Sequence, residues 1–318
     1  MSTSVVIVNY NTRELLLQCV KSILKYSAVP QNRIVVVDNA SVDGSLDQLK
    51  IQYPQCKTIA NVENLGFGAA NNQGIALVDT EFTMLLNPDA KLLDGASGIM
   101  EAFMRNDPGV AIVGPRTFYP DMALQDSTYN FPTVGNELIK ALSLSGLVRA
   151  LFPHSKTLNE KEFPSRICEV GWLRGACLLC RTSVLTSVGG FDERFFLYSE
   201  EVDLQYRIRQ LGYKIIFHPS AEIIHHLGCA MALAPERTYV ELFRSKLQFA
   251  DKHYSRFTFF TLLTIWFNYN ALRVLVYSVP AYMSRSGATV GRFKKNLAAT
   301  RYLLRFMFGY EAKHRSRN

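Results

Sequence analysis

Acidic residues and a histidine stand where apolar stretches of this sequence end. Asp38 follows the apolar run 34–37, and Asp89 comes shortly after the run 82–86. His225 closes a third apolar stretch. In open α/β sheets, ligands bind outside the carboxyl ends of the strands. Carboxylates and an imidazole at that edge can hold a divalent cation and deprotonate a hydroxyl group, which indicates a metal-assisted transferase.

A further group of carboxylates opens a predicted helix. Glu200, Glu201 and Asp203 follow Ser199, a residue type that often occupies the N-cap position. The helix dipole favours ionised carboxylates in the first turn by about 0.3–1 kcal/mol. An ionised carboxylate suits a base that must accept a proton from a hydroxyl group. For Asp203 an equal alternative is structural, because Arg207 lies four residues later on the same helix face.

Apolar strands alternate with amphipathic helices through most of the first 230 residues. This alternation predicts an α/β fold with a Rossmann-like, mainly parallel sheet that is covered on both faces. Strands are predicted at residues 5–8, 34–37, 58–60, 82–86, 110–113, 172–180, 214–217 and 222–224. Helices are predicted from residue 12, near 46–49, and at 69–78, 98–104 and 199–211. The stretch 119–163 contains several prolines and one amphipathic patch at 138–151, and is predicted to be a loop or flap over the site.

The positive charge of the chain is concentrated near its C-terminus. Residues 285–318 contain nine Lys and Arg against one acidic residue, which equals the net charge of +8 of the whole chain. Before this segment, residues 257–272 are sixteen uncharged residues, fewer than the roughly 18–20 that a membrane span needs. The pattern predicts an interfacial or re-entrant helix pair on an anionic membrane surface, rather than nucleic-acid binding. A core helix of a C-terminal appendage is the alternative.

The cysteines and the N-terminus suggest an intracellular setting. The six cysteines have no framework spacing, and the pair Cys177 and Cys180 has no second pair to complete a metal site. We therefore expect buried thiols in the core. The N-terminal apolar stretch lacks the features of a signal peptide, so the chemistry is expected to face the cytoplasm.

Seven short motifs occur in the order that is typical of inverting family 2 glycosyltransferases. They lie at residues 6–11, 36–41, 64–72, 87–89, 172–177, 190–193 and 199–203. Over about residues 4–230 the sequence resembles this family, and most closely its bacterial rhamnosyltransferase-like branch. The resemblance implies a GT-A domain at residues 1–230, a nucleotide-sugar donor and a divalent metal, Mg²⁺ or Mn²⁺. Residues 231–318 would form a helical, membrane-associating appendage.

The resemblance also implies roles for the acidic residues and the histidine. Asp89 matches the metal-binding end of the family's Asp-X-Asp element, and Asn87 replaces the first acid, so that Asn87 would contact ribose or phosphate. His225 matches a late histidine that ligates the metal in some members, with a structural histidine as the alternative. Asp38 would read a pyrimidine imide, or else cap the turn that follows it. Glu201 would be the catalytic base, in place of the family's usual Asp, with Glu200 beside it.

The remaining motif residues are expected to bind the donor or the acceptor. Arg174 would contact the diphosphate, and glycine at position 66 would let the backbone approach the nucleotide at a helix N-terminus. Trp172 and Asp203 would contact the acceptor, with core packing as an equal alternative for Trp172. The other predicted nucleotide or donor contacts are Asn9, Tyr10, Asn11, Asn64, Gly66, Phe67 and Asn71.

Together these features predict inverting transfer of a hexose to a lipid-linked or cell-surface polysaccharide. L-rhamnose from dTDP-L-rhamnose is the first choice of donor, on the resemblance alone, and other UDP- or dTDP-hexoses stay open. The protein would act at the cytoplasmic face of the inner membrane, on a polyprenyl-linked acceptor. A catalytically inactive nucleotide-sugar-binding scaffold is the non-enzymatic alternative. A nucleotidyltransferase is disfavoured because residues 9–12 contain no glycine to wrap a phosphate.

Overall fold

A computed structural model describes residues 3–142, 165–226, 235–284 and 287–309. The chain divides into two compact units, Met1–Phe131 with Glu160–Cys229, and Pro132–Asn159 with Ala230–Asn318. The second unit therefore takes in residues that follow Phe131 as well as the C-terminal region. One reason is local: Val134 packs against the hydrophobic core of the second unit.

The strands and helices of the described residues follow the chain in this order. The strands are β1 (Thr3–Asn9), β2 (Ile34–Asp38), β3 (Lys57–Ala60), β4 (Phe82–Leu86), β5 (Ala90–Leu92), β6 (Val110–Phe118), β7 (Leu124–Gln125), β8 (Thr128–Tyr129), β9 (Cys168–Glu169), β10 (Trp172–Leu173), β11 (Cys177–Arg181) and β12 (Lys214–His225). The helices are α1 (Arg13–Tyr26), α2 (Ser45–Gln52), α3 (Phe67–Ile75), α4 (Ala96–Asn106), α5 (Val134–Ala141), α6 (Thr182–Ser187), α7 (Glu200–Gln210), α8 (Pro235–His253), α9 (Arg256–Ser284) and α10 (Gly287–Met307).

The first unit is built on a mainly parallel sheet, as the sequence predicts. Its strand order is β3-β2-β1-β4-β11-β6-β12-β5. Strands β3, β2, β1 and β4 run parallel to one another, and β6 is parallel to β12. Strand β11 lies between β4 and β6 and is antiparallel to both. The strands β8 and β10 form a separate two-stranded sheet.

Alternate residues of the central strands pack into two different hydrophobic clusters. In β1, Val5 and Ile7 belong to a cluster that includes residues of α1 and α4. Val6 and Val8 belong to another cluster, which includes residues of α3 and α7. Both faces of the sheet are therefore buried, and this explains why β1 is a continuous apolar run rather than an alternating one.

The carboxyl ends of three parallel strands meet at one edge of the sheet. In the register, Asn9 pairs with Asp38 at the ends of β1 and β2. Val6 pairs with Leu85, so β4 ends opposite Ile7, within two residues of the end of β1. The polar segments that follow these strands therefore lie along a common edge, as expected for a ligand site in an α/β sheet.

Two predicted strand segments differ from the structure. The apolar stretch 172–180 is divided between β10 and β11, which belong to different sheets. Gly175 lies at the break between them, where chain direction changes easily. Conversely, the two short strands predicted at 214–217 and 222–224 are one strand, β12, with a register shift between His218 and Glu222. A bulge at this point accommodates the extra residues around Pro219 without ending the strand.

The predicted flap at 119–163 is only partly described. Its first part contains β7, β8 and α5, and residues 143–164 lie outside the described residues. The predicted amphipathic patch 138–151 is described only as far as residue 142, where α5 has just ended.

In the second unit, helices α8, α9 and α10 share a hydrophobic core that includes Phe243, Phe259, Trp266 and Leu303. Helix α9 is a single helix of 29 residues rather than the predicted pair, and Pro280 lies inside it. Among the described residues, one stretch of this helix, Arg256–Met283, is long and apolar enough to cross a membrane, and 33% of its most apolar part is buried. Length and composition alone are weak evidence for a span, since core helices meet the same criteria.

Candidate active site

Asp89 and His225 meet at the edge of the sheet. The Asp89 carboxylate oxygen Oδ1 lies 3.2 Å from His225 Nε2, and both side chains are buried. Asn87 Nδ2 lies 3.3 Å from the same imidazole nitrogen. Strand β12 pairs with β5 so that His225 is opposite Ala90, which brings the end of β12 to the loop after β4. The structure thus places three sequence-predicted residues together.

Gln125 fixes the orientation of His225. Its amide nitrogen donates to the His225 backbone carbonyl at 3.2 Å, so its amide oxygen faces His225 Nδ1, at 2.7 Å. An amide oxygen can only accept, so Nδ1 carries a proton, and in the neutral imidazole Nε2 is then the nitrogen with the lone pair, on the side of Asp89. Gln125 was not among the predicted site residues, because it stands in a proline-containing stretch without strand or helix periodicity.

The residues at this point fit a divalent cation. Among the described residues, no three His, Cys, Asp or Glu side chains come together as a metal site. The Asp89 oxygen Oδ1 and His225 Nε2 nevertheless lie 3.2 Å apart, and a cation bound here could take both as ligands when Nε2 carries no proton. Asn87 Oδ1 is buried and has no hydrogen-bond partner among the described residues, so it can contact the cation or a phosphate that the cation binds. Oxygen donors with one imidazole suit Mn²⁺ or Mg²⁺.

Glu201 lies in the first turn of α7. Ser199 occupies the N-cap position in a left-handed conformation, with φ of 63°, and its side chain makes no capping hydrogen bond. The Glu201 oxygen Oε2 is buried and has no hydrogen-bond partner within the part of the chain that is described. Burial raises the pKa of the Glu201 carboxyl above its ordinary value, and the positive charge of Arg174 opposes this shift. Glu200, beside it, is buried.

Arg174 and Tyr129 lie near Glu201, and Trp172 packs on Tyr129. The Arg174 guanidinium donates to the Tyr129 hydroxyl and lies over the Tyr129 ring, 5.5 Å from its centroid. Tyr129 stacks on Trp172 with ring centroids 4.4 Å apart. Trp172 Nε1 donates to the Asn130 carbonyl, which fixes the indole plane. Trp172 is therefore partly packed against Tyr129, a neighbour that was not predicted from the sequence.

The segment 174–176 connects the Glu201 region to the Asp89 region. The Asn87 backbone N–H donates to the Ala176 carbonyl at 3.0 Å. A Cβ atom at Gly175 would lie 3.6 Å from Glu201 Cβ, so the chain passes directly against the Glu201 side chain. Gln205, on the same helix as Glu201, bonds both the N–H and the carbonyl of Leu173. These contacts hold the base candidate and the cation candidate at the same edge of the first unit.

Asp38 is held by a polar cluster at the ends of β1 and β2. Its Oδ1 accepts from Asn9 Nδ2 at 2.7 Å, and its Oδ2 accepts from the Ser41 backbone N–H at 2.9 Å. Asn11 contacts the same turn, since its backbone N–H donates to Ser41 Oγ. The turn-capping alternative for Asp38 is therefore present, and the carboxylate keeps lone pairs for a further donor.

Two other predicted donor residues lie near this cluster, on the surface. Tyr10 is 41% exposed, so its ring can contact a ligand. A surface cavity of about 340 Å³ is lined in part by Asn11, Arg13 and Asp43.

The loop before α3 depends on glycine at position 66. Gly66 has φ of 88°, and a Cβ there would lie 2.5 Å from the Phe196 carbonyl oxygen. Asn64 Oδ1 accepts from the Gly66 N–H, and Phe67 N–H donates to the Phe196 carbonyl. The side chain of Asn71 is turned back onto its own helix, bonding the Phe67 carbonyl.

Asn72, which was not among the predicted site residues, joins α3 to the motif at 190–193. Its amide accepts from the Phe191 N–H and donates to the Phe191 carbonyl. The two motifs are therefore fixed to one another.

Asp203 and the cysteines have structural environments. Asp203 is fully buried, and Arg207 Nε donates to its carboxylate at 2.8 Å, the pairing that the i,i+4 spacing allowed. Cys177 and Cys180 are buried free thiols, and burial raises the pKa of Cys177 to about 12. The prediction of core thiols is confirmed for this pair, which lies within β11. Cys229 lies outside the described residues.

The sequence of residues 4–168 matches the family described as Glycosyl transferase family 2. The chain belongs to this family. A relative of this glycosyltransferase is the N-acetylglucosaminyl-diphospho-decaprenol L-rhamnosyltransferase of Mycobacterium tuberculosis, with 28% identity over 232 residues that cover 69% of this chain and 75% of the relative. The rhamnosyltransferase WbbL of Escherichia coli is 26% identical over 180 residues, covering 51% of this chain and 61% of its own.

A solved structure supports the fold of this glycosyltransferase. The mannosyltransferase PcManGT of Pyrobaculum calidifontis, in complex with GDP-Man and Mn²⁺, is similar with a TM-score of 0.56 and 13% identity, over 96% of this chain and 86% of its own. At this identity the likeness concerns the fold alone. The predicted family and the GT-A fold are confirmed, and glycosyl transfer is the chemistry of the family.

Proposed function

We propose that this glycosyltransferase moves a hexose, with inversion at the anomeric carbon, from a nucleotide-sugar to a hydroxyl group of a lipid-linked or surface glycan. The observation that carries the proposal is the position of Glu201. Its carboxylate has a buried oxygen with no hydrogen-bond partner among the described residues, and its side chain lies against Gly175. The backbone carbonyl of Ala176, the residue after Gly175, accepts a hydrogen bond from the Asn87 N–H, and Asn87 lies in the same loop as Asp89.

In the proposed reaction Glu201 acts as the base. Its carboxylate accepts the proton of the acceptor hydroxyl as that oxygen attacks the anomeric carbon. The bond from this carbon to the diphosphate breaks on the opposite side, and the diphosphate leaves with the electron pair. A carboxyl whose pKa is raised by burial is a stronger base than an exposed glutamate, while the charge of Arg174 favours its ionised form.

Asp89 and His225 would hold Mg²⁺ or Mn²⁺, with Asn87 as an additional oxygen donor. When bound, the cation neutralises the negative charge that develops on the leaving diphosphate. The 3.2 Å approach of Asp89 Oδ1 to His225 Nε2 supports this assignment. So does the presence of Mn²⁺ in PcManGT, which shares the fold.

We propose dTDP-L-rhamnose as the first donor to test, because two relatives are rhamnosyltransferases. Asp38 and Asn9 would bind the pyrimidine, with Tyr10, Asn11 and the loop 64–71 around the nucleotide. Arg174 donates to the Tyr129 hydroxyl, and it would have to exchange this hydrogen bond for one to phosphate in order to bind the sugar diphosphate. We therefore propose first that Arg174 favours the ionised form of Glu201. Loops determine the identity of the sugar, and another UDP- or dTDP-hexose would use the same chemistry.

The acceptor is proposed to be polyprenyl-linked and to lie on the side of Trp172. Its ring and that of Tyr129 form an aromatic pair beside Glu201, and aromatic rings bind sugar faces. Asp203 is buried and paired with Arg207, so the acceptor proposal rests on Trp172 rather than on Asp203. The relative that acts on a decaprenol-linked sugar supports this class of acceptor. The enzyme would work at the cytoplasmic face of the inner membrane.

A donor panel tests the proposed function. The purified protein is incubated with Mn²⁺, a synthetic polyprenyl-diphosphate sugar and each of several nucleotide-sugars, and products are analysed by NMR. We expect transfer from one donor, an inverted anomeric configuration, and loss of transfer in chelator. Retention of configuration would contradict the role of Glu201, and full activity in chelator would contradict the cation. Donor binding without any transfer would favour the scaffold alternative.

A further inference from the structure

Helix α9 has an inner and an outer face of different surroundings. The inner face is in the core of the second unit, where Phe259, Leu262 and Trp266 are almost completely buried. Asn270, also on this face, is buried and bonds the Trp266 carbonyl. The N-terminal half of α9 is thus a core helix, which was the alternative interpretation of the sequence.

The outer face of α9 becomes entirely apolar in its C-terminal half. Its large residues recur at spacings of three, four and seven, which places them on one side of a helix. We call them the outer stripe: Leu272, Leu275, Val276, Val279 and Met283, which are 55–77% exposed. Nearer the N-terminus of the helix, Thr264 and Asn268 occupy the same side and separate the outer stripe from two further exposed apolar residues, Phe257 and Phe260. A contiguous exposed apolar surface of this kind marks an interaction site.

The charged residues nearest the outer stripe in the sequence are all positive. The sequence contains no acidic residue between Asp251 and Glu311. Helix α10, which follows α9, carries basic residues that are exposed: Arg292, Lys294, Arg301 and Arg305. Leu304, Met307 and Phe308, near the end of α10, are also exposed apolar residues. Apolar and basic groups together match the acyl chains and the headgroups of an anionic bilayer.

We propose that the outer stripe docks on an anionic bilayer, with α9 lying in the interface and not crossing it. The stripe from Leu272 to Met283 is about 17 Å long at 1.5 Å per residue, whereas the hydrocarbon core is about 30 Å thick. The preceding part of α9 is occupied by the protein core and cannot enter lipid without unfolding the second unit. A second copy of the chain is disfavoured as the occupant, since two surfaces with only positive charges would repel.

The docking surface specifies which part of the protein would contact the membrane. It rests on the membrane location given in the proposed function. It limits the contact to one half of α9 and to the exposed basic residues of α10. An acceptor with its polyprenyl chain in the bilayer would then be met by an enzyme held at the same surface, which raises the effective concentration of the two reactants.

Vesicle sedimentation of the full chain tests the docking surface. Vesicles of phosphatidylglycerol and phosphatidylcholine are compared with vesicles of phosphatidylcholine alone, for the wild type and for the double variant Leu275→Glu, Val279→Glu. We expect the wild type to bind the anionic vesicles, and the variant to bind at least roughly tenfold more weakly, since charged residues resist burial in lipid. The double variant Lys294→Gln, Arg301→Gln should lose part of the binding and much of its salt dependence.

The matched control carries the same two charges on exposed apolar residues of the first unit, Ile51→Glu and Val62→Glu. It should bind vesicles as the wild type does. Equal binding of wild type and stripe variant, or no binding by the wild type, would overturn the proposal. A dimer that sedimentation velocity detects for the wild type but not for the stripe variant would also overturn it. Hydrolysis of the donor in solution is measured in parallel. This reaction needs no membrane, so a wild type that does not hydrolyse the donor would count against the proposed function alone.

Discussion

The side chain of Gln125 contacts His225 at two points, its backbone carbonyl and its imidazole Nδ1. The first contact determines which end of the amide faces the ring, and the second keeps the proton on Nδ1. Nε2 is thereby left as a lone-pair donor 3.2 Å from the Asp89 carboxylate. Partners of this kind commonly orient a histidine for metal binding.

Replacing Gln125 tests whether this orientation matters for the cation. Gln125→Met keeps the volume of the buried side chain but cannot hold Nδ1–H, so Mn²⁺ affinity should fall roughly 10–100-fold. Gln125→Glu retains an acceptor for Nδ1–H and should retain most of the affinity. Electron paramagnetic resonance of unbound Mn²⁺ measures both variants without a turnover assay. Unchanged affinity in the methionine variant would show that the orientation of His225 is not used for metal binding.

The pH profile should respond to Arg174. Burial raises the pKa of Glu201 and the Arg174 charge lowers it, so Arg174→Gln should raise it further. Because the base works only when ionised, the acid limb of kcat/KM should move to higher pH, with activity recovering as pH rises. Arg33→Gln is the control, since Arg33 pairs with exposed Asp79 at the opposite end of β2. An acid limb that stays in place would remove Arg174 from this role.

Gly66 should not tolerate a side chain. Gly66→Ala places a Cβ against the Phe196 carbonyl in a left-handed backbone conformation, which costs about 1–3 kcal/mol of backbone strain before the steric clash is added. Gly98→Ala is the control, because Gly98 is in α4 with open space around it and should gain roughly 0.5–1 kcal/mol. Urea unfolding measures the free energy of each variant. Equal stability of the two variants would contradict the close approach of residues 66 and 196.

Glu137 should stabilise the second unit more at neutral pH than at acidic pH. Burial alone would raise its pKa, but Lys246, Lys140 and the Trp266 indole N–H lower the pKa to about 2. A carboxyl with a depressed folded-state pKa contributes stability above its unfolded value of 4.5, and this is lost as the pH falls toward 2. Glu137→Gln should therefore cost on the order of 3 kcal/mol at pH 7 and less near pH 3.

The matched control is Glu236→Gln, which changes an exposed glutamate of α8. Thermal unfolding at pH 7 and pH 3 compares the two variants with the wild type. A cost for Glu137→Gln that is the same at both pH values would contradict the ion pairs with Lys246 and Lys140.

Sequence periodicity was sufficient for the parallel half of the sheet. The strands at 34–37 and 82–86 are apolar on both faces, and that pattern follows directly from burial between two layers of helices. Because parallel strands end at one edge, the positions of Asp38 and Asp89 could be predicted with them. His225 was predicted at the same edge because it closes an apolar stretch, but its contact with Asp89 depends on the long-range pairing of β12 with β5, which has no signal in the local sequence.

Contacts across long stretches of sequence were not predictable. Gln125 and Tyr129 stand in strands of two residues, which are too short to give a periodic signal. Gln205 looks like any polar residue of a helix, although its side chain bonds Leu173 and aligns two site segments. A helix pair was predicted where α9 is one helix, because the uncharged run 257–272 is short for a membrane span. The next residue, Arg273, is charged, yet one charged residue does not end a helix.

The central claim is that Glu201 removes the proton from the acceptor. Glu201→Gln preserves size and removes a buried carboxylate whose raised pKa disfavours folding at neutral pH, so its thermal stability should equal or exceed that of the wild type. Single-turnover transfer, measured with donor affinity by calorimetry, should show a rate lower by roughly 10²–10⁴-fold with the donor affinity unchanged. A transfer rate close to that of the wild type would contradict the account.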